Sequence, residues 1–591
     1  MTLERDRDFV DYLLIGVVIG TLALAVASVF GAGMSTSVAG IRVSARTVLR
    51  PVAVAVVAAL IASWRSKRRE RPLTELWAVT QRHATTIAVC MGIFVFAVAM
   101  RMSLFEARAA DQYGYVSQAA LWARGNLVIH EPLAATAPWP DATWTVAPLG
   151  YRPGPIPATI VPTYPPGLSL VMAGFIKLVG PFGAFMAVPL LGSLAVVATF
   201  FLGRRVGGPA CGLLAAMLLS TSPIFLFQLR EPMSDVPVTA WWVVATVLVA
   251  TPTAASALGG GLAASAAIVT RPNLIPLAAL LGVFVLSCTS LRLPTRLRNA
   301  SLFGAGVLPG CAGLAYFNQS LYGSPFASGY GSTAELFKFQ YLGANLSNYP
   351  RWLVETETPL IVLALLAPWL IRTSLSWLFV GMSATLFACY AFYRPFDNWT
   401  YLRFLLPAIP LLLILSGAAI LHLSQRLSSQ SSRWLVAAFC LAVMAWRWDR
   451  AGMQPPRPHD RRFAVIGEFV RDELPPNAIL LSMQHSGSVR YYSGRLTLRW
   501  DLLSAEWLEP SLTFLRTKGY RPFLLLEEWE QPQFAQRFSA RTKLGALDWQ
   551  PFARYSGEIR TDIFDPADQG RSGPPEEIRT IGTLPPAAKA R

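Results

Sequence analysis

The stretch Ala-Thr-Thr-Ile-Ala-Val-Cys-Met-Gly-Ile-Phe-Val-Phe-Ala-Val-Ala-Met-Arg at 84–101 carries no charge until its last residue. The hydrocarbon core of a bilayer takes roughly 20 mostly apolar residues as a helix, so this stretch reads as a membrane span. Before it stands the basic cluster Arg65-Ser-Lys-Arg-Arg-Glu-Arg71, and after it comes Arg-Ala-Ala-Asp-Gln-Tyr-Gly-Tyr at 108–115, which carries Asp111. Short loops rich in Lys and Arg stay on the cytoplasmic side. The cluster therefore marks one face of the membrane, and Asp111 emerges at the other.

Similar apolar segments lie at about 11–31, 48–64, 184–202, 209–227, 236–251, 256–270, 274–290, 300–318, 358–371, 375–393, 404–423 and 433–447. With 53% hydrophobic and 14% charged residues and a mean hydropathy of +0.43, the chain is a mostly α polytopic membrane protein with about 13 transmembrane helices. Basic connectors recur at every other loop: Arg204-Arg205, Arg292 to Arg298, Arg372, and Arg426 to Arg433. They put the N-terminus in the cytoplasm and place loop 102–163, loop 319–357 and everything after about 450 outside. Arg42, Arg46 and Arg50 break the pattern around an outside connector. Ala25-Val-Ala27 resembles a signal-peptide cleavage site, but Glu4, Asp6, Asp8 and Asp11 outnumber Arg5 and Arg7 ahead of it, so the first span is expected to remain uncleaved.

This organisation divides the chain into an N-terminal hairpin and basic loop (1–83), a transmembrane core (84–449), an extracytoplasmic domain (450–565) and a disordered tail (566–591). In the third part, helical periodicity at 460–474, 503–518 and 530–539 alternates with the apolar runs Ala478 to Leu481 and Phe523 to Leu526, the pattern of a small α/β domain. The tail is rich in Pro, Gly and charge.

The net charge of +17 needs no nucleic acid, because inside loops facing anionic membrane lipid account for it. All six cysteines (Cys90, Cys211, Cys288, Cys311, Cys389, Cys440) fall in expected spans, so no disulfide framework is implied outside, and no metal-ligand spacing is present. His485 and the other histidines form no triad, and the 18 Trp suit ordinary interfacial belts. No Asp, Glu, Lys or Arg lies well inside a span, which argues against ion-coupled transport. Polar chemistry gathers instead at the outer helix ends, where a lipid-tailed substrate with a polar head could be handled. Loop 102–163 is long enough to imply function and leads into Tyr164-Pro-Pro-Gly-Leu, which opens an apolar stretch ending at Lys177, too short to cross and suited to a re-entrant or interfacial helix.

Seven fragments, in order, carry a resemblance. They are Asp-Gln-Tyr-Gly-Tyr-Val-Ser-Gln-Ala-Ala-Leu-Trp-Ala-Arg-Gly-Asn-Leu (111–127), Tyr-Pro-Pro-Gly-Leu (164–168), Leu-Gly-Arg-Arg (202–205), Pro-Met-Ser-Asp-Val-Pro (232–237), Thr-Arg-Pro-Asn (270–273), Tyr-Gly-Ser-Pro-Phe-Ala-Ser-Gly-Tyr (322–330) and Tyr-Leu-Arg-Phe-Leu-Leu-Pro (401–407). Over roughly 84–423 the chain resembles the GT-C superfamily and is similar to bacterial membrane glycosyltransferases related to protein O-mannosyltransferases and aminoarabinose transferases. The resemblance implies a multi-pass protein of a bacterial inner membrane. It would move a sugar from a polyprenyl-phosphate carrier to a glycan, lipid or protein acceptor on the non-cytoplasmic side, with inversion at the anomeric carbon.

Carried onto this sequence, the general base is Asp111, which would take the acceptor's proton as the acceptor attacks. Asp is equally a favoured cap for the helix that follows. Gln112 stands where many relatives have a second acid, which speaks against a paired-carboxylate metal site; no cofactor is implied, and a divalent metal has no motif behind it. Tyr164 stands where close relatives often carry Lys, so the cation for the donor phosphate must come from Arg403, Arg271 or Arg152, with Arg108 less suited. Snorkelling from helix ends is the plain alternative for Arg403 and Arg271. Asp235, Tyr113, Tyr115, Tyr164 and Tyr330 are the expected substrate-binding residues, with helix capping the alternative for Asp235. Glu106 is a poorer candidate base because it falls at the end of a span. A flippase or exporter of lipid-linked saccharide is the rival reading from another class, and an envelope scaffold a third.

Overall fold

The computed structural model describes residues 71–426, 430–452 and 461–579 with shorter pieces within 10–61; for 35–38, 41–44, 71–76, 333, 430–437 and 441 it describes the backbone alone. The expected spans at 11–31 and 48–64 and the basic cluster 65–70 therefore lie largely or wholly outside the described residues.

The protein is a mostly helical multi-pass membrane protein. Among the described residues, five helical stretches are long and apolar enough to cross a bilayer: Ala84–Met102, Pro181–Ser220, Leu293–Tyr322, Ser374–Ala391 and Trp399–Arg426. A sixth is possible if Phe339–Glu357 and Pro359–Ile371, bent by 118° at a short break, count as one broken span. The expected number of about 13 is not reached by this measure, which counts the folded-back Pro181–Ser220 once and leaves out the expected spans that lie largely outside the described residues. Apolar stretches read as spans at 236–251, 256–270 and 274–290 form the shorter helices Asp235–Val249 and Ala254–Thr270 and the stretch Pro272–Leu286. Loop 319–357 also departs from expectation, since Leu342–Glu357 within it is a helix.

The long helix Ala187–Ser220 is two helices joined at a turn. Gly207 and Gly208 leave helical geometry, Gly208 with φ +80°, and Pro209 follows. The two legs then close on one another: a Cβ added to Gly203 would lie 3.0 Å from the Gly212 Cα, although an unbroken helix would hold those residues about 13 Å apart. Arg204 and Arg205 sit just before this turn. Arg204 reaches Thr85 at 3.4 Å and Arg205 reaches the Val247 carbonyl at 2.9 Å. Thr85 lies in the first turn of the helix whose far end leads to Asp111, and Val247 in the last turn of the helix that Asp235 begins. The basic turn and the two acids therefore occupy opposite ends of the bundle.

The loop after Met102 forms helix Asp111–Ala123 and a three-stranded antiparallel sheet with Thr159–Pro162 between Ile129–His130 and Tyr151–Pro153. The C-terminal domain has a six-stranded mixed sheet in the order Glu576–Glu577, Ala553–Tyr555, Thr561–Phe564, Arg521–Glu527, Ala478–Leu481, Leu496–Leu498. Its elements fall where periodicity put them, with helices Arg462–Glu473, Leu508–Thr517 and Glu530–Phe538. The domain extends past 565, however: Glu576–Glu577 pairs with Ala553 and Arg554, so composition misreads the start of the tail, and 580–591 lies outside the described residues.

Two features seat this domain on the site end of the bundle. Leu133, Trp139, Ala142 and Val146 of the first long loop share one apolar core with Leu481, Leu498, Trp500 and Leu512. Buried Glu106 accepts a 2.7 Å hydrogen bond from the Ala464 amide at the start of helix Arg462–Glu473, where orphan N–H groups favour an anion.

Candidate active site

Helix Asp111–Ala123 begins with Asp111 itself; Ala110 occupies the cap position and makes no side-chain capping bond. The capping role is thereby left unfilled, and the carboxylate turns to other partners. Its Oδ1 accepts 2.7 Å from the Tyr164 hydroxyl, and its Oδ2 accepts 3.2 Å from Arg403 Nη2. The chain enters the helix through Ala109 at φ +47°, a left-handed conformation that costs a non-glycine residue about 1–2 kcal/mol. Asp111 keeps 35% of its side-chain surface open, so it is tethered yet reachable.

Tyr164 owes its place to two glycines. A Cβ at Gly114 would overlap its ring, so the helix surface must be bare there. Gly167, just downstream, lies against Thr270 so closely that a Cβ would overlap that residue as well. The Tyr-Pro-Pro-Gly and Thr-Arg-Pro motifs are thus brought together, although a hundred residues separate them. Tyr115 and Tyr330 pack on the Tyr164 ring with centroids at 4.7 and 5.8 Å. Burial, reinforced by the Asp111 charge, pushes the Tyr164 phenol well above its usual range, so it remains a hydrogen-bond donor.

Beside this lies a second ion pair. Arg271 Nη2 meets Asp235 Oδ1 at 2.7 Å and Ser234 Oγ at 3.2 Å. Asp235 begins helix Asp235–Val249 and is fully buried, with Oδ2 lacking a partner. Both guanidinium groups flank one ring, Arg403 at 5.2 Å and Arg271 at 5.9 Å from the Phe404 centroid. Each has unused donors: Arg271 Nη1 and Arg403 Nε are buried without a partner, and Arg403 Nη1 faces only the Met233 sulfur at 3.4 Å. Two adjacent, incompletely satisfied guanidinium groups form a ready anion site.

Of the residues named from sequence, Asp111, Tyr164, Arg403, Asp235, Arg271, Tyr115 and Tyr330 come together. Arg152 does not join them. Its Nη1 donates to the Ser328 and Gly329 carbonyls at 3.0 and 3.2 Å, which clamps loop 322–330. Tyr113 faces the C-terminal domain, with its ring on Gly487. Glu106 holds the domain, as described above. Sequence reasoning passed over Glu231, which receives Gln112 Nε2 at 3.0 Å and pairs with Arg108. Its position before Pro-Met-Ser-Asp was the one available signal. Among the described residues, no group of three or more His, Cys, Asp or Glu is arranged to hold a metal ion.

A family model described as oligosaccharyl transferase STT3, N-terminal, matches residues 143–228. Among solved structures, ArnT from Cupriavidus metallidurans bound to undecaprenyl phosphate is similar with a TM-score of 0.52 and 13% identity, over 82% of this chain and 99% of that one. The apo state of the same protein gives 0.50 and 12%, over 83% and 98%. No curated protein matches this chain. The chain shares the fold of ArnT, in line with the resemblance to GT-C membrane glycosyltransferases that the motifs implied.

Proposed function

We propose that this chain transfers a sugar from a polyprenyl-phosphate carrier to an acceptor at the non-cytoplasmic face of a bacterial inner membrane, with inversion. The observation that carries the reading is the convergence of a half-open carboxylate, Asp111, with two under-satisfied guanidinium groups at one end of an apolar bundle. The GT-C fold supports it, as does the undecaprenyl phosphate bound by the similar ArnT.

In this reading the acceptor hydroxyl attacks the anomeric carbon and gives its proton to Asp111. The new carbon–oxygen bond forms as the bond to the carrier phosphate breaks, and the phosphate keeps that electron pair. Arg403 and Arg271 hold the developing negative charge, a task assigned here to guanidinium groups rather than to a divalent cation. Asp235 fixes Arg271, buried Tyr164 orients Asp111, and the exposed Tyr330 ring offers the sugar a stacking face. The C-terminal domain, seated on helix Asp111–Ala123, bounds the side from which an acceptor would enter.

The test is turnover by purified protein in lipid, given a panel of polyprenyl-phosphate sugars and envelope extracts as acceptor. A glycosylated product whose anomeric configuration is opposite to the donor's is expected. Retention of configuration would remove the single-displacement mechanism, and carrier movement across vesicles without sugar transfer would favour the flippase.

A further inference from the structure

We propose that Arg403 is shared between Asp111 and the donor phosphate, so that docking of the carrier takes Arg403 away and releases Asp111 as the base. The inference rests on the reading of the site given above and adds an order of events to it.

Both oxygens of Asp111 are engaged, by Tyr164 and by Arg403. Arg403, in contrast, is underused. A guanidinium carries five N–H donors, and only the one on Asp111 meets an oxygen; the others include the unpartnered Nε and the Nη1 that faces sulfur. Asp111, Asp235, Arg271 and Arg403 sum to zero charge. A donor phosphodiester adds one negative charge, so it competes with the two carboxylates for these guanidinium groups.

Burial decides which one yields. Asp235 is fully buried with Oδ2 already unpaired, and stripping Arg271 from it would leave an uncompensated charge, the costly case. Asp111 is 35% exposed, sees water and keeps its Tyr164 bond. Separating this partly exposed pair costs less than stripping the fully buried one. Arg403 therefore swings to the phosphate, Oδ2 loses its donor, and that oxygen becomes the acceptor for the incoming hydroxyl proton. When the carrier phosphate departs, Arg403 returns. The base is thus masked until the donor is seated.

Competition of this kind is reciprocal: whatever weakens the Asp111–Arg403 pair must strengthen phosphate binding. The experiment is equilibrium binding of radiolabelled undecaprenyl phosphate to the full chain in nanodiscs. Asp111→Asn, which removes the competing charge, should bind about fivefold tighter, the scale of a partly exposed ion pair. Arg403→Gln should bind roughly tenfold weaker or worse. A gain of affinity cannot come from damaged folding. A structure of the wild-type chain with undecaprenyl phosphate serves as the second measurement, and it should have Arg403 on the phosphate and out of hydrogen-bonding reach of Asp111. Equal or weaker binding by Asp111→Asn, or an intact Asp111–Arg403 pair in the bound structure, overturns the exchange alone. No binding by the wild-type chain would overturn the donor assignment itself, and the exchange with it.

Discussion

Tyr164 donates its phenol proton to Asp111 Oδ1 across 2.7 Å while its ring lies on the bare backbone of Gly114. Hydrogen bond and seat can be separated by mutation. Tyr164→Phe keeps the ring in place and removes one oriented donor, so turnover should fall about tenfold with the melting temperature little changed. Gly114→Ala places a methyl where the ring sits, and it should cost about 1–3 kcal/mol of stability as well as activity. Assays of both variants beside thermal melts would check this; a Gly114→Ala protein as stable as wild type would mean the ring is not seated there.

Glu357 and Arg447 form a fully buried ion pair that also engages Ser222. It ties helix Gln430–Arg450 to Leu342–Glu357 in an otherwise apolar region that includes Ile361, Leu413 and Val443. Removing one partner leaves a buried unpaired charge, so Arg447→Met alone should destabilise by about 3–5 kcal/mol. Glu357→Leu together with Arg447→Met should recover most of that loss. The measurement is thermal unfolding of the three variants in one detergent, and a double variant no better than the single would contradict the pairing argument.

Trp139 comes from the first long loop yet lies in the core of the C-terminal domain, bonding Thr145 at 2.8 Å and meeting Phe514 edge-on at 5.6 Å. Trp139→Ala should cost about 3–5 kcal/mol and expose the domain to protease while the membrane helices stay folded. Protection as in wild type would mean that the domain does not depend on the loop.

Glu530 is buried beside the sheet and accepts the Glu527 and Gln484 amides at 2.8 and 3.2 Å. Burial pushes its carboxyl from 4.5 up to about 7. Below 4.5 both folded and unfolded chains are protonated there; between 4.5 and about 7 only the folded chain keeps the proton. Its contribution to stability is therefore present at low pH and declines as pH rises through that window, by about 3 kcal/mol at most. The stability difference between wild type and Glu530→Gln should follow this decline when melts are run from acid to neutral pH. Parallel profiles would contradict it.

Much of this was legible in the sequence, and the reasons are physical. Hydropathy and basic loops carry the membrane class because they reflect transfer free energies, and Arg204 and Arg205 lie at the end of the bundle opposite Asp111. The motifs around Asp111, Tyr164, Asp235 and Arg271 converge because each sits at or beside a helix end on one face, and Arg403 joins them from the 3-10 stretch Trp399–Ala408 that leads into helix Ile409–Arg426. What stayed hidden depends on contacts distant in sequence. Glu357 reads as a loop residue until Arg447 is seen against it. Tyr113 and Arg152 have the right chemistry, but Gly487 and the carbonyls of loop 322–330 claim them. The turn at Gly207 and Gly208, by contrast, was legible, since it falls between the apolar segments 184–202 and 209–227 beside Arg204 and Arg205.

The central claim is that sugar transfer runs through Asp111, and one comparison tests it most directly. Purified wild-type and Asp111→Asn proteins, reconstituted in the same lipid and shown to melt alike, would be assayed for transfer from a polyprenyl-phosphate sugar. Loss of a positioned base predicts that the variant's turnover falls by about 10²–10⁴-fold. A variant that transfers sugar at the wild-type rate would contradict the account.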